Sequence, residues 1–377
     1  MIKVSVLMTT YNHEEFIEEA IESVLMQEVN FKYELVIGED CSTDNTREIV
    51  KKYKEKYPDI IKLSLQKENS EGRKNFTSAF DMCSGEYVAL LEGDDYWTDE
   101  NKLQKQVDFL DKNPDCSLCG HGYKRYHEES KKFLGDIVEE IEKFSLEDFL
   151  KEDILSTNRF HVRTLTRMFR KDALINKEKD LKDLILWDYV IETILLMNGY
   201  GACLRDNMGV YRINKNSIVQ KNMAKFAEVT VGMRKEVLKI VQPEYRPYVL
   251  ESIERKKLKK EFYEFIEKFK GESYRDKVVN YFLKNRLNKV IIYGEGDLGK
   301  LLEENLQNSG VEVVAYIEKK NQLNKEQDIF ISEQLKTDLR AKADAIVITP
   351  FYDFDNIRNQ LLNLKLDTEI ISLKEVL

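Results

Sequence analysis

Residues 85–110 read GEYVALLEGDDYWTDENKLQKQVDFL. The run Tyr87-Val88-Ala89-Leu90-Leu91 is apolar on both faces, as a central strand of a parallel sheet must be. It ends on residues of another character, Glu92-Gly93-Asp94-Asp95. Carboxylates crowded after an apolar strand repel one another unless a cation or a donor-rich ligand sits among them. Hard divalent ions take oxygen ligands, often one or two carboxylates completed by substrate phosphates. Glu92 and Asp94 therefore read as a seat for Mg²⁺ or Mn²⁺ beneath a diphosphate. On their own the same acids would read equally well as a solvated turn with helix-capping acids, so the flanking sequence has to decide.

Upstream, strand and helix alternate. Residues 2–8 (IKVSVLM) form a strand, followed by Thr9-Thr10-Tyr11-Asn12. A helix is expected next, with Asn12 or His13 as its N-cap and Glu14 and Glu15 at its positive end. Its apolar face is Phe16, Ile17, Ala20, Ile21, Val24 and Leu25. Residues 33–37 (YELVI) are a second strand, and the turn-rich loop 38–44 leads to a helix from about Asn45 that Pro58 stops. Residues 60–65 are a third strand, and a helix near 75–83 ends at Gly85. This rhythm predicts an α/β/α sandwich with a mostly parallel sheet. In such sheets ligands bind beyond the carboxyl ends of the strands. Three polar clusters fall there: Thr9 to Asn12, Glu39-Asp40, and Glu92 to Asp95. Asp40 suits an acceptor for a base N–H, and Asp44 suits an N-cap.

The chain has 377 residues, enough for two or three domains. Hydrophobic residues are 42% and charged residues 34%, a globular composition. The net charge of -9 argues against nucleic acid as a partner, because phosphate binding needs a basic face. No stretch approaches the ~20 apolar residues that span a bilayer. The first residues read as a strand, not a signal peptide. Five cysteines form no even framework, so a reducing cytoplasm is expected. Cys116-x-x-Cys119 with His121 lacks a second ligand pair for zinc and reads as a buried strand carrying thiols.

Residues 162–169 alternate like a strand, a helix lies near 183–197, and a short strand covers 202–204. Residues 218–287 look helical, broken at Pro243 and Pro247. From Asn288 the strand–helix rhythm restarts, with strands at 290–293, 311–317, 344–349 and 368–373. The expected domains are thus 1–217, a helical linker or arm at 218–287 that could dimerise, and a small Rossmann-like α/β unit at 288–377.

The stretches VSVLMTTYNHEEFIEEAIESVLMQ, ELVIGEDCSTDNT and GEYVALLEGDDYWTDENKLQKQVDFL, in this order and spacing, resemble the inverting family-2 glycosyltransferases of the GT-A fold. The likeness is dense over residues 1–112 and loose over 113–215. It implies an enzyme, of the hexosyltransferase type, that uses a nucleotide-sugar, a UDP-sugar first. Thr9 and Asp40 match positions that hold the uracil, with Tyr11 beside them. Asp94 matches the last acid of the metal-binding Asp-x-Asp motif, and Glu92 replaces its first Asp. Asp95 matches the next acid, near the sugar or metal. Arg73 and Asn75 fall where the family approaches the diphosphate. Leu186-Trp187-Asp188-Tyr189 resembles the segment that supplies the catalytic Asp at a helix start, which makes Asp188 the candidate base and Trp187 a candidate sugar contact. In Tyr211-Arg212-Ile213-Asn214, Asn214 stands where many relatives have His, and Arg212 is a candidate phosphate contact. The implied acceptor is a saccharide, a lipid-linked saccharide met at the inner face of the membrane, or a protein side chain.

Gly294-x-Gly296-x-x-Gly299 lies between a strand and a helix, the context in which this fingerprint admits a phosphate at the helix N-terminus. Glu318 ends the next strand, where a ribose-binding acid would lie. A second nucleotide in this unit, or a purely structural or assembly role, both fit. Other readings of the whole chain are a sugar nucleotidyltransferase, a non-catalytic sugar-nucleotide binder and an NAD-linked oxidoreductase. The first lacks a glycine- and basic-rich loop after the first strand. For the last, no obvious hydride-transfer set accompanies the glycine fingerprint.

Overall fold

The computed structural model describes residues 1–70, 72–138, 141–155, 162–174, 184, 188–214, 223–269, 272–294, 296–317, 343–350, 354–363 and 368–376. They divide into two compact units, Met1–Lys257 and Leu258–Leu377.

The first unit is built on a ten-stranded sheet. Its parallel half is β1 (Val4–Thr10), β2 (Tyr33–Glu39), β3 (Ile61–Leu65) and β4 (Tyr87–Glu92), in the order β3-β2-β1-β4. The sheet continues through β9 (Met168–Arg170), β6 (Cys116–His127) and β10 (Tyr200–Ile213) to the two-residue β5 (Tyr96–Trp97). β9 runs antiparallel to both β4 and β6. The hairpin partner β7 (Lys132–Ile137) pairs with β6, and β8 (Ile141–Phe144) pairs with β10.

Apolar side chains leave both faces of the parallel strands. Val6, Met8, Ile37, Ala89 and Leu91 pack with α1 (Ile17–Leu25), α2 (Thr46–Lys56) and α4 (Lys102–Lys112). Leu7, Val36, Val88 and Leu90 pack on the other face with α3 (Arg73–Met82), α5 (Leu146–Leu155) and α6 (Asp188–Met197). This is the expected three-layer α/β/α arrangement. Cys116 and Cys119 are buried in β6, and burial pushes the Cys116 thiol up to about 12, so the pair serves as packing.

Three local expectations need correction. Asn12 and His13 do not cap a helix, because α1 begins at Ile17 and Asn12 has a left-handed φ of 55°. Residues 162–169 are not one strand. A 3₁₀ turn, Thr164–Thr166, precedes the short β9, because Arg167 between them turns fully inward to meet buried Glu192. The strand expected at 202–204 runs from Tyr200 to Ile213, with register shifts at Leu204/Asn207 and Asn207/Val210 that hide its alternation.

The helical stretch is shared between the units. Helix α7 (Met223–Leu238) and the first part of α8 (Arg246–Phe269) supply Val231, Val237, Val249 and Ile253 to the first unit's core. A single carboxylate ties them there. Asp153 on α5 accepts from Tyr189 Oη at 2.9 Å and Arg234 Nε at 3.1 Å, and its Oδ1 lies 3.4 Å from Lys256 Nζ. Despite its burial, Arg234 and Lys256 hold the Asp153 carboxyl well below the usual range.

In the second unit, β11 (Lys289–Tyr293), β12 (Glu312–Ile317), β13 (Ala345–Ile348) and β14 (Glu369–Ser372) form an all-parallel sheet in the order β12-β11-β13-β14. Helices α9 (Glu272–Lys284), α10 (Asp297–Leu306) and α11 (Phe354–Leu362) accompany it. Gly294 takes a left-handed φ of 99°, and a Cβ on Gly299 would lie 2.0 Å from the Gly294 carbonyl oxygen. Turn geometry and strand–helix packing therefore account for these two glycines. A Cβ on Gly296 would meet nothing within 4 Å. Glu318 lies outside the described residues.

Asp153→Ala strands Arg234 and Lys256 inside the protein and should cost about 3–5 kcal/mol in urea unfolding. The folded pKa is depressed, so this stabilisation is complete above the ordinary value of 3.8 and fades as pH falls below it. Asp153→Asn should show a shallower loss of stability between pH 4 and pH 2 than wild type.

Candidate active site

The three central parallel strands end level. Thr9 of β1 lies opposite Gly38 of β2 on one side and Glu92 of β4 on the other. The Thr9 carbonyl accepts the Gly93 N–H at 2.9 Å, and the Thr10 carbonyl accepts the Asp40 N–H at 3.1 Å. The polar segments that follow the strands therefore share one rim.

Side chains lace the first two loops together. Asn12 Oδ1 accepts the Thr43 N–H at 2.8 Å, and the Asn12 N–H donates to Ser42 Oγ at 3.0 Å. Asp44 Oδ1 accepts the Thr46 N–H at 3.0 Å, but the N-cap of α2 is the next residue, Asn45, so Asp44 satisfies the first helical N–H from one position earlier. Asp40 is buried. Its Oδ1 accepts the Ser70 N–H at 2.9 Å and the Ser70 hydroxyl at 2.8 Å, while its Oδ2 accepts the Gly72 N–H at 2.9 Å. The carboxylate thus orders the entry to α3. From α3, Asn75 Nδ2 donates to the Gly38 carbonyl at 2.9 Å, and its buried Oδ1 has no partner. Thr9 is half-buried and Tyr11 is exposed at the same rim.

The turn after β4 is pressed against β1. A Cβ on Gly93 would lie 2.6 Å from Thr10 Oγ1 and 2.9 Å from His13 Nδ1, so this position needs glycine for space. Asp95 points inward, and its Oδ1 accepts the Arg212 N–H of β10 at 2.8 Å. Its Oδ2 is buried without a partner. Burial, then Asp94 and Glu92, pushes the Asp95 carboxyl well above its ordinary range. Asp94 is more open. Its Oδ2 accepts from Asn214 Nδ2 at 3.0 Å and stands 3.8 Å from His13 Nε2. Arg212 Nη1 donates to the Asp94 carbonyl at 3.0 Å. Its guanidinium also pairs with Glu19 and Glu128 and lies 4.5 Å from the Tyr96 ring centroid.

Asp188 starts α6 and is half-exposed. Thr164 Oγ1 donates to its Oδ2 at 2.8 Å, and buried Arg167 stands with Nη1 3.8 Å from its Oδ1. Arg167 also pairs with Glu192 at 3.1 Å. Glu92 senses this acid from across the site: burial, then Asp188 and Asp94, pushes the Glu92 carboxyl up to about 8, against the pull of Arg163 and Arg167.

Residues 5–176 match the model of glycosyl transferase family 2. The N-terminal unit carries a family 2 glycosyltransferase domain. An uncharacterized protein of Mycobacterium tuberculosis is 31% identical over 214 residues, which cover 57% of this chain and 60% of that one. The putative teichuronic acid biosynthesis glycosyltransferase TuaG of Bacillus subtilis is 29% identical over 238 residues, covering 62% of this chain and 88% of TuaG. The structure of Staphylococcus aureus TarS 1–349 with UDP-GlcNAc superposes with a TM-score of 0.51 at 22% identity, over 68% of this chain and 72% of that one. That likeness is one of fold. The chain spans about 60% of the length of the mycobacterial relative. Residues 286–372 match a second family model, described as C2185-like, N-terminal.

Within the glycosyltransferase domain, Thr9, Tyr11, Asp40, Glu92, Asp94 and Asp95 gather at one rim, and Asp188 is close enough to Glu92 to influence its charge. Arg212 and Asp95 are committed to bracing each other's strands, which leaves Asp94 as the more open acid. The side chains of Arg73 and Trp187 lie outside the described residues. Thr164 and Arg167 were not singled out in the sequence, where nothing local marks them, and His13 was read there only as a helix cap. His13 reaches the acids only because β1 and β4 are neighbours, and Arg167 reaches Asp188 only through the turn before β9.

Gly93→Ala should cost about 1–3 kcal/mol in urea unfolding by forcing the acid turn off β1. Gly232→Ala in α7 has nothing within 4 Å of its new methyl group and should be neutral or slightly stabilising.

Proposed function

We propose that this chain transfers a sugar from a nucleotide-sugar, most simply a UDP-sugar, to a hydroxyl of an acceptor by a single inverting displacement. The observation that carries the reading is the rim on which Asp40 follows β2, Glu92 ends β4 and Asp94 follows it, with β1 between these two strands and Asp188 close enough to Glu92 to influence its charge. The nucleotide is assigned to the β1–β2 end, at Thr9, Tyr11 and Asp40, with Asn75 and Arg73 at the start of α3. Ser70 and Gly72 already occupy the Asp40 carboxylate. Its contact to the base is therefore assigned to lone pairs these leave free, and Ser70 and Gly72 become part of the nucleotide wall.

A divalent ion, Mn²⁺ or Mg²⁺, fits the donor set. Asp94 offers an open carboxylate oxygen, and Glu92 lies two residues before it. Among the described residues no three His, Cys, Asp or Glu side chains converge as a complete ligand set. That matches a cation held by one or two carboxylates and completed by substrate phosphates. Such an ion would supply positive charge to the leaving diphosphate.

The protein's own part is orientation and proton transfer. Thr164 and Arg167 hold the Asp188 carboxylate. This group takes the acceptor hydroxyl proton as the oxygen attacks the anomeric carbon. The bond from that carbon to the diphosphate oxygen breaks, the nucleoside diphosphate leaves, and configuration inverts. Arg212 and Asp95 act by fixing the turn that carries Asp94. The acceptor class is a saccharide, a lipid-linked saccharide or a protein hydroxyl. Among the described residues no helix is long and apolar enough to cross a membrane.

Two variants test this. Asp188→Asn keeps the shape and the Thr164 contact but cannot take a proton, so turnover should fall roughly 10²–10⁴-fold with donor affinity nearly unchanged. Asp94→Ala should abolish the rise in melting temperature that a UDP-sugar with Mn²⁺ gives the wild type. Turnover equal to wild type in both variants would put the active site elsewhere, and a wild type that binds the donor without turnover would leave a non-catalytic binder.

A further inference from the structure

Arg163 has no part in the mechanism above. It immediately precedes the turn Thr164–Thr166 and is exposed. It is nonetheless held. Its Nε donates to Tyr123 Oη at 3.3 Å, and its guanidinium carbon lies 5.3 Å from the Tyr211 ring centroid. The two tyrosine rings meet edge to face at 6.4 Å, so the pair forms a bracket built from β6 and β10. Among the described residues no carboxylate comes within ion-pair distance of Arg163. The other guanidinium groups at the site differ on this point. Arg167 is buried against Glu192, and Arg212 is buried against Glu19 and Glu128. A cation fixed by aromatic contacts, open to solvent and lacking an anion is prepared for one from outside.

Position decides which anion. The adjacent residue, Thr164, donates to the Asp188 carboxylate at 2.8 Å, so the turn that Arg163 enters also holds the proton acceptor on α6. Tyr123 and Tyr211 belong to strands on the far side of β4 from β1 and β2, away from Asp40. We infer that Arg163 receives an anionic group of the acceptor, a carboxylate or a phosphate close to the hydroxyl that reacts. This rests on the assignment of Asp188 as the base and makes the acceptor class acidic. Guanidinium, with its planar fork, binds either oxyanion in two-point fashion.

The test is ligand-observed NMR titration of the full chain, with and without UDP. The probes are p-nitrophenyl β-D-glucuronide, its neutral counterpart p-nitrophenyl β-D-glucoside, and sn-glycerol 3-phosphate. Wild type should bind the two anions at least tenfold more tightly than the glucoside. Whichever anion binds tighter identifies carboxylate or phosphate as the source. Arg163→Ala should erase the preference, Arg163→Lys should keep part of it, and UDP affinity should be the same in all three proteins. Absence of an anion preference in wild type, or its survival in Arg163→Ala, overturns the inference. So does a fall in UDP affinity in Arg163→Ala, which would assign the guanidinium to the donor diphosphate. Should wild type fail to bind UDP, the transferase reading falls, while the titration without UDP still decides the role of Arg163.

Discussion

Glu92, Asp94 and Asp95 place three carboxyl groups on one turn, and their mutual repulsion is the constraint around which the site is built. Burial first, and then the charge of neighbouring acids, raises the carboxyls of Glu92 and Asp95 above their ordinary range. The fold divides the three by environment. Asp95 is turned inward onto the Arg212 N–H, Glu92 is near enough to Asp188 to sense its charge, and Asp94 stays open beside Asn214 and His13. Acids held in different surroundings can take different roles, which is how a cluster of one residue type becomes a functional site.

The turn is held from two directions that are remote in sequence. β1 presses on Gly93 from one side, and β10 grips Asp95 and the Asp94 carbonyl through Arg212 from the other. Arg212 is itself fixed by Glu19 of α1 and by Glu128 just past β6. The Asp188 side has its own support, a buried Arg167–Glu192 pair that stiffens the turn before β9. These contacts join the two halves of the mixed sheet, so the geometry between Asp94 and Asp188 depends on the whole unit. Asp153 extends the same logic outward by tying α7 and α8 onto the unit's core.

The second unit shows the opposite relation between motif and site. Its glycine fingerprint is satisfied at Gly294 by backbone conformation and at Gly299 by the close approach of helix to strand. Such glycines are what a small parallel sheet needs in order to pack a helix against its first strand. The spacing alone therefore carries less information here than the acid clusters do in the first unit.

Much of the first unit was legible in the linear sequence. The apolar runs of β1, β2 and β4 and the polar residues at their ends follow from burial on both faces and from where parallel strands leave their ligands. The contact of Asp44 with the first N–H of α2 follows from local backbone chemistry. Other features were out of reach because they are long-range. The turn at Thr164–Thr166 looked like a strand, since the inward Arg167 mimics polar alternation until Glu192 is known to face it. The length of β10 was hidden by two register shifts, which break the period that reveals a strand. The pairing of Arg212 with Glu19, 193 residues apart, and the bracket of Tyr123 and Tyr211 around Arg163 have no local signal. Sequence determined the elements and the residue types at their ends, because periodicity and capping act over a few residues. Tertiary structure alone decided which acid is open, which is braced and which cation remains unclaimed, because burial and charge pairing depend on neighbours that the chain order does not disclose.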